Sequence, residues 1–317
     1  MLDAFSRSFF LSLAHNATLK IAVSRYGMRG PDSFARRFIG GETLDEVVHV
    51  LHDLGRRGFT HTLNHLGEHV ASPTVPHTAT QGYLDIIRAV GAGGLPCKIS
   101  VKLSQIGLEL DPSLCVDNLR RILSTARHEG GFVRIDMEGS ATVDATMEIF
   151  ETVWNEGLRN VGVVLQAYLH RTERDLQRIV ALGGRVRLCK GAYKEPGEVA
   201  YQDKPDVDAA FLRLMRQLLA NGRAPAFATH DPRMIDETQR FARERGIGPE
   251  GFEFQMLYGV RRDLQASLRD SGYAVRIYVP FGVEWFPYFM RRLAERPANV
   301  AFVVRSLVYE RRAKQNR

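Results

Sequence analysis

Short apolar, β-branched runs recur along the chain at residues 59–66, 97–103, 132–137, 161–169, 186–193, 224–229, 252–257 and 273–279. Between them the apolar positions fall at helical spacing, as in Leu44, Val47, Val48 and Leu51 ahead of the first run, or Val207, Phe211, Leu214 and Leu218 between the fifth and sixth. Strands therefore alternate with amphipathic helices. The runs read as nearly continuous apolar stretches, the pattern of strands buried on both faces of a parallel sheet covered by helices. Eight such units predict an α/β fold of the (β/α)8 TIM-barrel type, with an open doubly wound sheet as the alternative.

No Pro/Ser-rich linker divides the chain. Residues 1–58 read as an N-terminal helical extension, and residues 59–317 as the barrel catalytic domain, including helices after the eighth strand over 284–296 and 300–309. A length of 317 residues suits one barrel with a short extension. With 44% hydrophobic and 25% charged residues the chain has the profile of a globular protein with a sizeable core, which excludes disordered and fibrous classes. Its net charge of +7 favours anionic partners: nucleic acid, phosphorylated ligands, carboxylate substrates or an acidic membrane surface. Cys97, Cys115 and Cys189 form no CxxC pair, so neither a disulfide framework nor a zinc ribbon is indicated and a reducing compartment is the simpler expectation. No apolar run reaches the roughly 18 residues of a membrane span. The apolar patch over residues 5–14 is interrupted by serines and reads as a helix rather than a targeting segment.

Three patterns invite functions that their context does not support. Gly246, Gly248 and Gly251 spell GxGxxG, yet a helical segment precedes them and a strand follows, the reverse of a dinucleotide fingerprint. His61, His65 and His69 are spaced four apart, but the first two fall in a predicted strand, where that spacing separates them, and no metal is expected. The basic residues lack aromatic interleaving and a helix-turn-helix, so nucleic acid is not an expected partner.

In an α/β barrel, functional side chains stand where strands end. The predicted strands end in Lys102, Asp136, Gln166, Arg187 with Lys190, Thr229 with His230 and Asp231, Gln255, and Arg276 with Tyr278. Taken singly, each is as readily a solvated loop residue or a buried ion-pair partner; recurrence at successive strands points to a site. After the eighth strand, Arg291 and Arg292 offer two planar forks for a carboxylate or phosphate, and Glu295 can orient one of them. A solvated helix face is the other reading of that trio.

The segments Ser-Val-Lys-Leu-Ser at 100–104, Arg-Ile-Asp-Met-Glu at 134–138, Arg-Leu-Cys-Lys-Gly-Ala-Tyr-Lys-Glu-Pro at 187–196, Ala-Thr-His-Asp at 228–231, Phe-Gln-Met-Leu-Tyr-Gly at 254–259, Arg-Ile-Tyr-Val-Pro at 276–280 and Arg-Arg-Leu-Ala-Glu-Arg at 291–296 come in order. Together they closely resemble the proline dehydrogenase family from about residue 60 to the end. One departure is Cys189, where the family usually has an aliphatic residue. The resemblance implies a monofunctional, FAD-dependent barrel that oxidises L-proline to Δ1-pyrroline-5-carboxylate and passes electrons to a quinone. It further implies that Lys102, Arg291 and Arg292 hold the substrate carboxylate, with Glu295 beside them, while Tyr193, Leu257 and Tyr278 shape the pocket around the ring. Arg187 is similar to the arginine near the hydride-accepting nitrogen, and Asp136 to the carboxylate associated with the lysine and the flavin. Met137, Gln166, Lys190, Gly191, Ala192, Thr229, His230 and Gln255 match cofactor-contacting positions. Glu68 matches the loop after the first strand and is expected to pair with Arg291 over bound proline as a gate. A cytoplasmic enzyme with at most peripheral contact at the inner face of the membrane is the matching expectation. On the residues alone two rivals stay open: a phosphate-binding aldolase or isomerase barrel without flavin, which would be colourless, and a non-catalytic binding module.

Overall fold

A computed structural model describes residues 28, 33–67 and 75–295. Eight strands, β1 (Thr60–His65), β2 (Lys98–Lys102), β3 (Phe132–Asp136), β4 (Val161–Gln166), β5 (Arg185–Cys189), β6 (Ala226–Ala228), β7 (Glu253–Leu257) and β8 (Ala274–Phe281), close in sequence order into a parallel barrel. Closure is made by β1 and β8, paired from Thr60 against Arg276 to His65 against Phe281. The open doubly wound alternative is thereby excluded.

Eight of the helices in the described residues belong to the barrel wall or its mouth: α1 (Leu44–Arg56), α2 (Val75–Ala92), α3 (Pro112–His128), α4 (Val143–Asn155), α5 (Thr172–Ala181), α6 (Lys204–Asn221), α7 (Pro232–Glu244) and α8 (Arg262–Asp270). Local chemistry starts several of them. Thr43 and Glu46 form a capping box on α1, and Asp111 and Asp231 cap α3 and α7 immediately before a proline at the first helical position. Although α1 falls in the segment read as an extension, its Val47, Leu51 and Leu54 are buried in the same core as the barrel. The Gly246–Gly251 stretch is a turn between α7 and β7, and holds one short 3-10 segment.

The strands correct one expectation. In β2, β3, β5 and β8 the apolar residues lie mainly on the side that faces the helices. Ile99 and Val101, Val133 and Ile135, Val186 and Leu188, and Val275 and Ile277 are all buried in the core shared with the helices. Side chains alternate along a strand, so the intervening Ser100, Lys102, Arg134, Asp136, Arg187, Arg276 and Tyr278 face the lumen. Lumens of this architecture are ordinarily filled by branched aliphatics, whereas this one is filled by hydrogen-bonded charge. Arg276 binds Glu253 through two nitrogens at 2.7 and 2.9 Å and donates to the carbonyl of His61 at 2.8 Å. Burial pushes the Glu253 carboxyl up, but the hydrogen bonds and charge of Arg276 outweigh it and hold Glu253 down at about 2. Arg134 donates to the carbonyls of Arg185 and Val163 across β4, where Gly162 leaves the room: a Cβ there would lie 2.5 Å from the guanidinium.

A second apolar cluster sits over the mouth. Helix α9 (Trp285–Glu295) buries Phe286, Phe289, Met290 and Leu293 against Ala35, Phe38, Ile39 and Leu66. Trp285 donates its indole N–H to Glu42 at 2.8 Å, which ties the start of α9 to the segment before α1.

Removing one member of the Arg276–Glu253 pair leaves the other charge buried and alone. Arg276→Leu should cost about 3–5 kcal/mol at pH 7 by urea unfolding, and Arg276→Leu/Glu253→Leu should recover much of it. The pH dependence has a definite sign. Glu253 is held below its ordinary 4.5, so its stabilisation is full above 4.5 and fades as pH falls toward 2. Without Arg276 burial raises the same carboxyl, so the gap between wild type and Arg276→Leu should begin to narrow above pH 4.5 and go on narrowing toward pH 2; a gap independent of pH would detach the loss from this carboxylate.

Candidate active site

The strand ends open into a cleft of about 740 Å³. Such a volume suits a ligand of cofactor size. From β2 comes Lys102, from β3 Asp136 followed by Met137, from β4 Gln166, and from β5 Arg187 followed by Lys190, Gly191, Ala192 and Tyr193. Thr229 and His230 follow β6, Gln255 and Leu257 come from β7, Tyr278 from β8, and Arg291 and Arg292 from α9. Most of the sequence-predicted residues thus converge on one cavity, while Arg276 lies at the other end of the lumen beside Glu253. Glu68 lies outside the described residues, as does His69, and the side chain of Glu295 does also.

At the base of the cleft Asp136 is clamped from two sides. Its Oδ1 accepts from Arg187 Nη1 at 2.8 Å and its Oδ2 from the Tyr278 hydroxyl at 2.7 Å. Arg187 also donates to Ser100 Oγ at 3.1 Å and lies 5.4 Å from the centre of the Tyr278 ring. Burial, then the Asp136 charge, pushes the Tyr278 hydroxyl well above its ordinary range, so it remains a neutral donor. Arg187 is 5% exposed and its Nε has no hydrogen-bond partner among the described residues. A buried donor held by a carboxylate in this way is a fixed positive pole with one N–H unspent.

Around the rim, β5 ends as the chain turns at Gly191, whose φ of +119° is a left-handed conformation open to glycine. A Cβ at Gly191 would lie 2.2 Å from the Tyr168 ring, so bare backbone faces the cavity there. Lys190 meets the nearly fully buried carboxylate of Asp208, and Asp231 at 2.7 Å. Its charge is consequently shared with two carboxylates. His230 accepts the backbone N–H of Leu257 on Nε2 at 2.9 Å, which requires that nitrogen to be unprotonated. The Gln255 amide donates to Glu253 and so points down the lumen while still bordering the cleft.

Toward α9 the cleft becomes cationic. Lys102 lies 3.5 Å from the Tyr193 hydroxyl, and the Arg292 guanidinium stands 5.0 Å over the ring of Tyr288. Among its described lining residues are Lys102, Arg187, Lys190, Lys194, Arg291 and Arg292 against only Asp136 and Asp231. An anionic ligand fits that balance.

Several lining residues escaped the sequence reading. Asn64 of β1, buried with no partner for its Oδ1 among the described residues, faces the cavity, and Tyr288 of α9 lies under Arg292. Alternation from Thr62 marks Asn64 as facing the lumen, and helical spacing three and four residues before Arg291 and Arg292 marks Tyr288. Of the spaced histidines, His61 is buried in the barrel wall, where burial lowers it to about 4 and keeps it neutral.

Fold and cleft together define an α/β-barrel enzyme that works at the C-terminal mouth of its strands. A family model described as proline dehydrogenase matches residues 47–305. The chain belongs to the proline dehydrogenase family. It is 41% identical over 312 residues to the proline dehydrogenase of Deinococcus radiodurans, covering 97% of this chain and 99% of that one. With proline dehydrogenase 2 of Bacillus subtilis strain 168 the identity is 39% over 302 residues, covering 95% and 98%. Among solved structures, proline utilization A from Bdellovibrio bacteriovorus, inactivated by N-propargylglycine, superposes with a TM-score of 0.78 at 27% identity, covering 82% of this chain and 32% of that one. The chain thus spans about a third of that larger protein.

Gly191→Ala should cost about 1–3 kcal/mol, since it combines a strained backbone with displacement of Tyr168. The urea midpoint measures it, and an unchanged midpoint would mean that the Tyr168 ring moves aside freely.

Proposed function

We propose that this enzyme oxidises L-proline to Δ1-pyrroline-5-carboxylate with FAD as its cofactor and a quinone as the final electron acceptor. Support comes from one juxtaposition: a cationic arm of Lys102, Arg291 and Arg292 stands in the same cavity as the buried Arg187–Asp136–Tyr278 clamp. Proline presents a carboxylate at one end and an oxidisable C–H bond beside nitrogen at the other, so a site for it needs both features. When bound, FAD would supply the acceptor for a hydride, which carries both electrons of the oxidation.

The residues fit that cofactor. Gly191 offers backbone where any side chain would collide with Tyr168. Arg187 and the side chains of Met137, Gln166, Thr229, His230 and Gln255 border the same space, with Lys190 and Ala192 beside them. Arg187, held by Asp136 and Ser100, contributes a positive charge that cannot swing away, and that preorganisation favours added negative charge on the cofactor.

Substrate positioning falls to the other arm. Arg292 rests on the Tyr288 face, which fixes the plane of its fork for a bidentate carboxylate, with Arg291 and Lys102 alongside. Leu257, Tyr193 and Tyr278 would enclose the ring, which must be neutral at nitrogen when the hydride leaves. Anchoring one end while walling the other favours a near-attack pose and excludes water. Purified enzyme should be yellow and bleach on addition of L-proline without oxygen; a colourless protein, or one that proline leaves oxidised, overturns the reading. Arg292→Lys keeps the charge and loses the fork, so KM for proline should rise by a factor of ten or more, from about 1.5–3 kcal/mol for a hydrogen bond to a charged group. Its flavin content should match wild type.

A cytoplasmic enzyme with at most peripheral membrane contact is part of the same proposal. Among the described residues no helix is long and apolar enough to cross a membrane, and the net charge of +7 suits an anionic surface. Turnover should be faster with quinone in anionic vesicles than in neutral ones, and salt should remove the difference; equal rates in both would count against surface contact.

A further inference from the structure

The lumen has a second opening. At the N-terminal ends of the strands, opposite the cleft, lies a cavity of about 160 Å³. Lys98 of β2, Arg134 of β3, Arg185 of β5 and Arg276 of β8 border it, with Glu253 and the exposed Glu250 as the carboxylates. Both oxygens of Glu253 are already taken by Arg276. Lys98, Arg134 and Arg185 have no ion pair among the described residues, although Arg134 is only 5% exposed. The Phe132 ring lies 5.2 Å from the Arg185 guanidinium and 5.1 Å from that of Arg134, and Arg134 also donates to two carbonyls, contacts that solvate the cations without supplying a negative charge. Burial first, and then the neighbouring cations, lowers Lys98 to about 8 and Arg134 to about 9.

Three cations border one cavity whose only carboxylates among the described residues are Glu253, already paired with Arg276, and the exposed Glu250, and that excess of positive charge favours an anion. At roughly 30 Å³ per water the space holds about five waters, or one small oxyanion and part of its hydration shell. We infer that the lower mouth of the barrel is a binding site for a phosphate-class oxyanion, held by Lys98, Arg134 and Arg185. The site is separate from the cleft above, and Arg187 and Gln255 border both cavities. It does not rest on the proposed substrate or cofactor.

Thermal unfolding of the full-length enzyme with its cofactor tests the site, with inorganic phosphate titrated against chloride at constant ionic strength. The midpoint should rise saturably in wild type and equally in Arg292→Lys. In Lys98→Gln and Arg185→Gln the apparent affinity should fall roughly tenfold, the loss of one hydrogen bond to a charged group. No saturable rise in wild type overturns the inference, as does an undiminished response in both lower-mouth variants, or a response lost in Arg292→Lys, which would put the anion in the upper cleft. Should those variants fold poorly, wild-type crystals grown with selenate decide: an anomalous peak between Lys98 and Arg185 supports the site, and a peak only beside Arg291 and Arg292 overturns it. Glycerol phosphate distinguishes the source. Protection equal to that by phosphate assigns the site to the phosphoryl group of a larger molecule, and protection by inorganic phosphate alone assigns it to the free ion.

Discussion

Charge placed inside a barrel must be matched there, and the clamp on Asp136 is where this molecule meets that demand. A lone carboxylate at that depth would destabilise the fold. Two donors prevent this: the Arg187 guanidinium from β5 and the Tyr278 hydroxyl from β8. Three strands are thereby linked across the lumen by one hydrogen-bonded unit. The same unit sets the floor of the active cleft, because a clamped Asp136 and a neutral Tyr278 give Arg187 one fixed position. Below it, Arg276 and Glu253 repeat the arrangement between β8 and β7.

Rigid charge at the floor is complemented by a helix at the rim. Helix α9 carries two kinds of residue at helical spacing: Phe286, Phe289, Met290 and Leu293 bind it to the segment before α1, while Arg291 and Arg292 border the cleft. Its placement therefore depends on apolar packing far from the arginines it presents, together with the Trp285 hydrogen bond to Glu42. The packed cluster thus fixes where the two guanidinium groups stand at the cleft.

The polar lumen also explains why an (β/α)8 barrel of this kind carries glycine and alanine at selected strand positions. Gly162 admits the Arg134 guanidinium between β3 and β5, and Ala226 and Ala228 of β6 stand opposite the larger side chains of neighbouring strands. Around β5 the carboxylates of Asp208 and Asp231, from α6 and the β6 loop, draw Lys190 into the wall. Arg187 of β5 with Asp136 of β3, Arg276 of β8 with Glu253 of β7, and Lys190 with Asp208 and Asp231 each draw cation and counter-charge from different elements, so these pairs form only as the barrel assembles.

Eight strands, their alternation with helices and the polar residue at most strand ends could be read from the sequence, because period and burial are local properties of a short segment. The ordered motifs around Lys102, Asp136, Arg187, His230, Gln255, Tyr278 and Arg291 likewise pointed to the family to which the chain belongs. Tertiary structure alone decided what those polar residues do to one another. Asp136 meets partners 51 and 142 residues away, and no local pattern encodes such a separation. In β2, β3, β5 and β8, strands that read as apolar on both faces proved to carry polar and charged side chains toward the lumen, because only closure shows that this face turns onto other charged groups and not onto an apolar core. Lys190 looked like an open strand-end cation until folding brought Asp208 and Asp231 against it. Asn64 and Tyr288 carried no charge to mark them, and became lining residues only through closure of β1 on β8 and the seating of α9. Residue type and spacing specify the strand and the side that faces inward; which inward groups neutralise each other depends on the geometry of a closed ring.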